Sequence, residues 1–180
     1  MITIIGASNR KGSLSLALAR YYQRVLTEKT TEEVKVLSLE TIPHDWFFPE
    51  MYEKEKEAES FSDIRRQYII PAGKFIFIVP EYLGGMPGAL KLFLDVLTVN
   101  DYEQTLPGKK AAITGIGAGR SGNLRGMEHL TTILNFTGIT VLPNKLPISF
   151  IRDQFDEEKN MISAETKEVI EKQVEEFLKM

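Results

Sequence analysis

The pattern of short apolar segments alternating with longer helix-like segments constrains this chain more than any other feature. Residues 74–79 (KFIFIV) form an almost entirely apolar run, typical of a strand covered on both faces. Four more strand-like segments cover residues 2–5, 34–39, 111–114 and 139–142. Helix-like segments cover residues 14–26, 53–68, 89–97, 124–136 and 164–178. Because parallel neighbouring strands need crossover helices, the alternation predicts an α/β fold with a doubly wound, five-stranded parallel sheet and helices on both faces.

The strand-helix units predict where a ligand would bind. We expect the flavodoxin-like strand order 2-1-3-4-5 in a single domain over residues 1–180, because the chain has no break in composition. In such sheets ligands bind beyond the carboxyl ends of the strands, beside strand 1, where the strand order reverses. The segments at those ends are residues 6–15, 80–88 and 115–123. These three loops are therefore the candidate site.

Composition narrows the chemistry that such a chain can perform. The 22 basic and 25 acidic residues leave a net charge of −3, which favours neither nucleic-acid nor membrane binding. Without cysteine, and with only two histidines far apart at His44 and His129, the sequence offers no disulfide, no thiolate nucleophile and no metal site. Redox chemistry would need a bound organic cofactor. The chain begins directly with a strand-like segment and shows no leader pattern, so we expect a cytoplasmic protein.

The first loop, GASNRKGSLS, has the chemistry of an anion site. Gly6 permits a tight turn, and Ser8, Ser13 and Ser15 supply hydroxyl groups around Arg10 just before a helix. A helix N-terminus adds free N–H groups and a partial positive charge, which together suit a phosphate. The spacing matches neither a Walker loop nor Gly-x-Gly-x-x-Gly. In the alternative interpretation, Ser13 only caps the helix and Arg10 is a solvated turn residue.

The second loop, PEYLGGMPGALKLFLD, is rich in residues that shape the backbone. Pro80 and Pro87 stiffen the chain, whereas Gly84, Gly85 and Gly88 allow the backbone to approach a flat ligand closely. Such a loop can present its N–H and C=O groups to the edge of a heterocycle. The alternative is a proline-glycine connector that only leads into the next helix.

Together these two loops resemble those of the NADPH-dependent FMN reductases, which include bacterial flavin, quinone, azo and chromate reductases. The resemblance implies that the first loop holds the FMN phosphate and the loop after strand 3 holds the isoalloxazine ring. The implied phosphate residues are Ser8, Arg10, Ser13 and Ser15, and the implied ring residues are Pro80, Glu81, Tyr82, Leu83 and Gly84. The family usually has Asn where Leu83 stands.

The third loop, GIGAGRSGN, matches Gly-x-Gly-x-x-Gly at Gly117, Gly119 and Gly122. A dinucleotide fingerprint also needs an acidic residue about 20 positions later, at the end of the next strand, and that region has no carboxylate. We therefore do not interpret this loop as a Rossmann site. The family resemblance instead implies that Gly115, Gly117 and Gly119 lie near the flavin ring. It also implies that Arg120 contacts a flavin carbonyl or the phosphate of NADPH, unless it is only an exposed arginine.

The resemblance implies an NAD(P)H-dependent reductase that passes a hydride from NADPH or NADH to bound FMN and then to a small-molecule acceptor. No catalytic side chain is predicted, because this hydride transfer depends on stacking geometry. The family is commonly dimeric or tetrameric, which implies a homodimer or homotetramer. The aromatic segment 45–48 either packs under its own loop or flanks the acceptor pocket or a neighbouring subunit. Two alternatives remain: an electron carrier without NAD(P)H turnover, and a degenerate member that binds FMN weakly because of Leu83 and Val79. The family often has Thr or Ser in place of Val79.

Overall fold

A twisted sheet of parallel strands forms the centre of the computed structural model, which describes residues 1–180. The strands are β1 Ile2–Gly6, β2 Val34–Ser38, β3 Lys74–Pro80, β4 Lys110–Ile116, β5 Thr140–Val141 and β6 Leu146–Ile148. Their order is β2-β1-β3-β4-β5, and β6 also pairs with β4. All pairs are parallel. The predicted flavodoxin-like order is thereby confirmed.

The fifth position of the sheet is divided between two short strands. The beginning of β4 pairs with β5, whereas its last three residues, Thr114 to Ile116, pair with β6. The sequence predicted only the first part, over residues 139–142. Pro143 interrupts the ladder because it has no N–H to donate. The consequence for the site is that β6 brings the chain to the same sheet edge as the three predicted loops.

Helices cover both faces of the sheet. They are α1 Leu14–Lys29, α2 Glu59–Ile64, α3 Gly88–Val96, α4 Tyr102–Thr105, α5 Leu124–Phe136 and α6 Ala164–Leu178. The side chains of Ser13 and Ser163 accept hydrogen bonds from the first turns of α1 and α6, as N-caps do. None of these helices is long and apolar enough to cross a lipid bilayer.

The predicted helix over residues 53–68 begins too early. Residues 49–52 and 54–56 form 3-10 turns, α2 starts at Glu59, and a π-helical turn, Arg65–Ile69, continues it. Residues 53–56 are all charged and exposed, so a helix there would have no apolar stripe to bury. Burial starts with Phe61 and Ile64, and the helix forms where that packing is available.

Alternation along the strands divides the core between the two faces. Ile4 and Ile76 pack with α1 and α6 on one face, while Ile5, Phe75 and Phe77 pack with α2, α3 and α5 on the other. Both side-chain directions of β1 and β3 are therefore buried, which explains the continuous apolar run in the sequence. The helix α1 follows β1 on one face, and α2 precedes β3 on the opposite face.

A buried polar network fixes α1 and α6 against β4. The Tyr22 hydroxyl lies 2.7 Å from Thr114 Oγ1 and donates to Gln173 Oε1 at 2.7 Å. Gln173 Nε2 donates to the carbonyl oxygens of Ile113 and Asn144 at 3.2 and 2.9 Å. Burial raises the pKa of Tyr22 far above its ordinary value, so the hydroxyl stays neutral. Because every member is partnered, the network holds α1 and β4, whose ends carry two of the candidate loops, in a fixed relation.

Candidate functional site

A cleft of about 390 Å³ opens at the carboxyl ends of β1, β3 and β4. It lies beside β1, where the strand order reverses, as predicted for a doubly wound sheet. The structure brings eight of the predicted residues together in its lining: Ser8, Arg10, Ser13, Ser15, Pro80, Glu81, Tyr82 and Gly117. Leu83, Gly84, Gly115, Gly119 and Arg120 lie outside the lining.

The N-terminus of α1 presents unpartnered polar groups to this cleft. The backbone N–H groups of Lys11, Leu14 and Ser15 find no acceptor elsewhere in the chain. The hydroxyl of Ser15 is only 1% exposed and also has no hydrogen-bond partner. Buried polar groups in proteins are normally hydrogen-bonded. These groups, at the positive end of a 16-residue helix, fit a ligand with several acceptor oxygens, such as a phosphate.

The first loop is held in position from outside the cleft. The carboxylate of Glu40, just after β2, accepts the N–H groups of Gly12 at 2.6 Å and of Ser13 at 3.2 Å. Lys159 Nζ donates to the carbonyl oxygen of Gly12 at 2.8 Å. The hydrogen bond from Gly12, and secondarily those from Ser13, hold the pKa of Glu40 below its ordinary value. The loop is therefore fixed by Glu40 and Lys159 rather than by the ligand.

Tyr82 joins the first loop to the second. Its hydroxyl forms a short hydrogen bond with the hydroxyl of Ser8, which also accepts the N–H of Arg10 at 3.1 Å. The guanidinium carbon of Arg10 lies 5.1 Å from the centre of the Tyr82 ring, a distance typical of a cation–π contact. The phosphate loop and the predicted ring loop are thus in direct contact through these three side chains.

The tip of the second loop is a tight turn. Tyr82 and Gly85 exchange two backbone hydrogen bonds of 3.0 and 3.1 Å, and Leu83 and Gly84 between them have φ values of 51° and 76°. Two positive φ values in succession are those of a type I′ turn, which favours Asn-Gly. Leu83 is fully exposed. Asn is therefore favoured at position 83 by the turn itself, and a leucine there is strained without occupying the cleft.

Close packing explains two glycines of the third loop. A Cβ atom on Gly115 would lie 2.4 Å from the Gly122 oxygen and 2.8 Å from Met127 Sδ, and one on Gly122 would lie 2.7 Å from the backbone of Pro147. Gly117 lines the cleft and donates its N–H to the Ile148 oxygen at 3.1 Å. Gly115 and Gly122 thus let this loop pack against α5 and β6.

Gly119 and Arg120 lie at the exposed end of the same loop. The backbone oxygen of Arg120 accepts the Ser149 hydroxyl at 2.6 Å, which connects this loop to the segment after β6. Ser121 donates to the Glu81 carboxylate at 2.5 Å, and the Glu81 N–H bonds to the Ile116 oxygen at 2.9 Å. The second and third loops are therefore also joined.

Seven lining residues were not named individually from the sequence: Lys11, Gly12, Leu14, Ile116, Ala118, Ile151 and Arg152. Five of these lie within the three predicted loops. Ile151 and Arg152 do not, because the predicted fifth strand ended at residue 142. The sequence did not predict where the segment after residue 142 lies. The signal that could have found them is the apolar Leu146–Ile148 segment, which reads as a continuation of the same strand position.

The sequence of residues 1–153 matches the NADPH-dependent FMN reductase family. The chain belongs to this family. The match includes every strand and all of the cleft lining. The predicted resemblance is confirmed, and the family's description names FMN and NADPH. The unpartnered Ser15 hydroxyl and N–H groups fit the phosphate of that flavin.

Individual relatives agree with this assignment. An NAD(P)H-dependent FMN reductase of Pseudomonas aeruginosa is 33% identical over 111 residues, which are 61% of this chain and 60% of that protein. The alignment thus spans less than two thirds of that relative. A 2-hydroxy-1,4-benzoquinone reductase from a Burkholderia species is 25% identical over 125 residues, 67% of this chain and 68% of that protein.

A solved structure confirms the fold. The flavoenzyme NAD(P)H:(acceptor) oxidoreductase from Paracoccus denitrificans matches with a TM-score of 0.76 and 20% sequence identity. The match covers 99% of this chain and 94% of that chain.

Replacing Ser15 with alanine separates binding from folding. Because this buried hydroxyl has no partner in the protein, Ser15→Ala should leave the free energy of unfolding in urea unchanged or raise it. The same change should raise the dissociation constant for FMN about tenfold, the loss expected for one hydrogen bond to a charged group. Ser13→Ala is the matched comparison: it removes the N-cap of α1 and should cost about 1 kcal/mol of stability. A Ser15→Ala protein that is as destabilised as Ser13→Ala, or that binds FMN like the parent, contradicts this assignment.

The hydrogen bonds from the first loop to the Glu40 carboxylate predict that the stability difference between the parent and Glu40→Gln proteins depends on pH. Since folding lowers the pKa of Glu40 from its ordinary 4.5, the ionised carboxylate stabilises the fold above that pH, and this stabilisation is lost as the pH falls through the lowered value. Urea unfolding of the parent and Glu40→Gln proteins across this range measures the effect. The parent should be more stable at neutral pH, and the two curves should converge in acid. A difference that stays constant with pH would show that the charge of Glu40 does not act on the loop.

Proposed function

We propose that this chain is an NAD(P)H-dependent reductase that binds FMN in the cleft and passes electrons from NADPH or NADH to a small acceptor. The observation that carries the proposal is the set of unpartnered polar groups at the start of α1, in one cleft with the loop that bears Tyr82. An anion cradle next to a flat backbone platform matches the two ends of FMN. The family assignment supports the same cofactor.

The side chains would position the cofactor rather than react. Arg10, Ser15 and the N–H of Leu14 would hold the phosphate at the positive end of α1. The backbone of Pro80 to Tyr82 and of Gly117 would face the ring. When bound, FMN supplies the hydride-accepting and hydride-donating chemistry. The cleft is lined by no histidine, and its one carboxylate, Glu81, bonds to Ser121, so the lining residues orient the flavin and exclude water.

The acceptor would enter from the side of the aromatic segment. A smaller, mostly apolar pocket of about 220 Å³ is lined by Asn9 of the first loop, by Phe47 and by the start of α3. Trp46 is buried under its own loop, with its ring 5.3 Å from that of Phe61, whereas Phe47 is 64% exposed. We propose that Phe47 flanks the acceptor. A quinone, a free flavin, an azo compound or a metal ion would be reduced there, and the quinone reductase among the relatives supports the first of these.

Self-association is part of the proposal. A groove of about 410 Å³ between α3 and α5 is lined by Leu94, Ile133 and Phe136, and Phe136 is 89% exposed. Such exposed apolar area is typical of an interface and suits a homodimer or homotetramer. We also propose that residues 1–180 form a single domain, because both core clusters pack on one sheet.

An electron carrier is the second candidate. It would bind FMN in the same cleft without reacting with NAD(P)H. The arginine in the phosphate loop, Arg10, favours the reductase, since the threonine-rich phosphate loop expected of a flavodoxin lacks it.

Anaerobic reduction decides between these functions. The protein is reconstituted with FMN, freed of excess flavin and mixed separately with NADPH and NADH, while the absorbance of the oxidised flavin is recorded. We expect at least one of the two to bleach the flavin, and 1,4-benzoquinone to restore the absorbance.

Free FMN at the same concentration is the control for direct reduction. A bound flavin that stays oxidised with both nucleotides would identify a carrier. Protein that retains no FMN would identify a degenerate member.

A further inference from the structure

The turn after β6 brings a second arginine to the cleft. Arg152 lies in the 3-10 turn Ile151–Gln154 and lines the same cleft as Arg10 and Ser15, although more than 130 residues separate it from them. Its side chain forms no ion pair or hydrogen bond with the protein, and it is exposed. The guanidinium is therefore available to a ligand.

The backbone of this turn is fixed toward the third loop. The N–H of Phe150 donates to the Gly119 oxygen at 3.2 Å, and that of Ile151 donates to the Gly117 oxygen at 3.0 Å. Ile151 is buried in the core. Phe150 has a φ of 47°, in the left-handed region that bulky residues rarely adopt. Strain of this kind persists where the surrounding structure holds it, and it is concentrated at functional sites.

A phosphate in the cleft would lie among several cations. A phosphate monoester carries about −1.5 to −2 charges at neutral pH. The Glu40 carboxylate, bonded to the N–H groups of Gly12 and Ser13, adds a negative charge beside the same loop. Lys159, which bonds to the Gly12 oxygen, offsets the charge of Glu40 from outside the cleft. Within the lining the cations are Arg10, Lys11 and Arg152, and the guanidinium of Arg10 lies over the Tyr82 ring. Arg152 therefore adds a guanidinium that no protein group occupies.

We propose that Arg152 contacts the phosphate of FMN and is a determinant of the preference for FMN over riboflavin. This inference rests on the proposed function, which places FMN in the cleft. A guanidinium can bond two phosphate oxygens at once, which a lysine ammonium cannot match in geometry. Arg152 thereby acts as a binding residue contributed by the segment that follows β6.

Binding of FMN and riboflavin to the flavin-free protein tests the proposal. Dissociation constants are measured by titration for the parent, Arg152→Ala, Arg152→Lys and Arg20→Ala. Arg20 is exposed on α1 outside the cleft lining, so its loss changes the net charge equally without removing a cleft residue. Arg152→Ala should weaken FMN binding about tenfold or more, as expected for a charge-assisted hydrogen bond, and riboflavin binding less than about twofold. Arg152→Lys should fall between, and Arg20→Ala should match the parent.

Three results would overturn the inference. They are an equal loss for FMN and riboflavin in Arg152→Ala, no loss for either flavin, or an equal loss of FMN binding in Arg20→Ala. Thermal unfolding of the flavin-free variants verifies that the fold is retained, and Arg152→Lys provides the comparison if the alanine variant is unstable. A parent protein that binds neither flavin would contradict the proposed function instead, so the two failures are distinguishable.

Discussion

The reversal of strand order at β1 is the constraint on which the site depends. Ile4 of β1 pairs with Val36 on one side and with Ile76 on the other. The chain leaves β1 through α1 on one face and leaves β3 through α3 on the opposite face. The loops after β1 and β3 therefore diverge, and the space between them is the cleft. The apolar residues that build this sheet thus also create the position of the site.

The three loops around the cleft are fixed to one another by contacts within the protein. Ser8, Arg10 and Tyr82 connect the first loop with the second, and Ser121 with Glu81 connects the second with the third. A site held in this way loses little conformational freedom on binding, which favours affinity. The unpartnered groups of the cleft include Ser15 Oγ and the N–H groups of Leu14 and Ser15 at the start of α1, where a ligand's oxygens would complete the hydrogen bonding.

Much of the fold and the centre of the site could be predicted from the sequence, because both depend on local patterns. A few consecutive residues are enough to recognise the apolar run of β3 as a buried strand and the hydroxyl groups before α1 as an anion site. The prediction that the helix begins at residue 53 was wrong for residues 53–58. Opposite charges at helical spacing indicate an exposed helix face, but they do not show whether an apolar face packs against the protein. Gly115 and Gly122 could not be understood in advance, because their role depends on contacts with Met127 and Pro147.

Arg152 is the clearest case of a site residue that could not be predicted from the sequence. Its place in the cleft depends on the split of the fifth sheet position between β5 and β6, a tertiary feature that one segment of sequence does not reveal. Likewise, Leu83 is a departure from the family pattern in sequence, but the structure shows it as a turn residue outside the cleft. Departures from a family pattern therefore need the backbone conformation before their effect on binding is judged.

The most direct test of the account is a crystal structure of the protein with FMN. In that structure we expect the flavin phosphate to lie within hydrogen-bonding distance of Ser15 Oγ and of the N–H groups of Leu14 and Ser15. We expect the flavin ring to lie against the backbone of residues 80–82. A phosphate bound away from the start of α1, or a flavin seated in the apolar pocket beside Phe47, would contradict it.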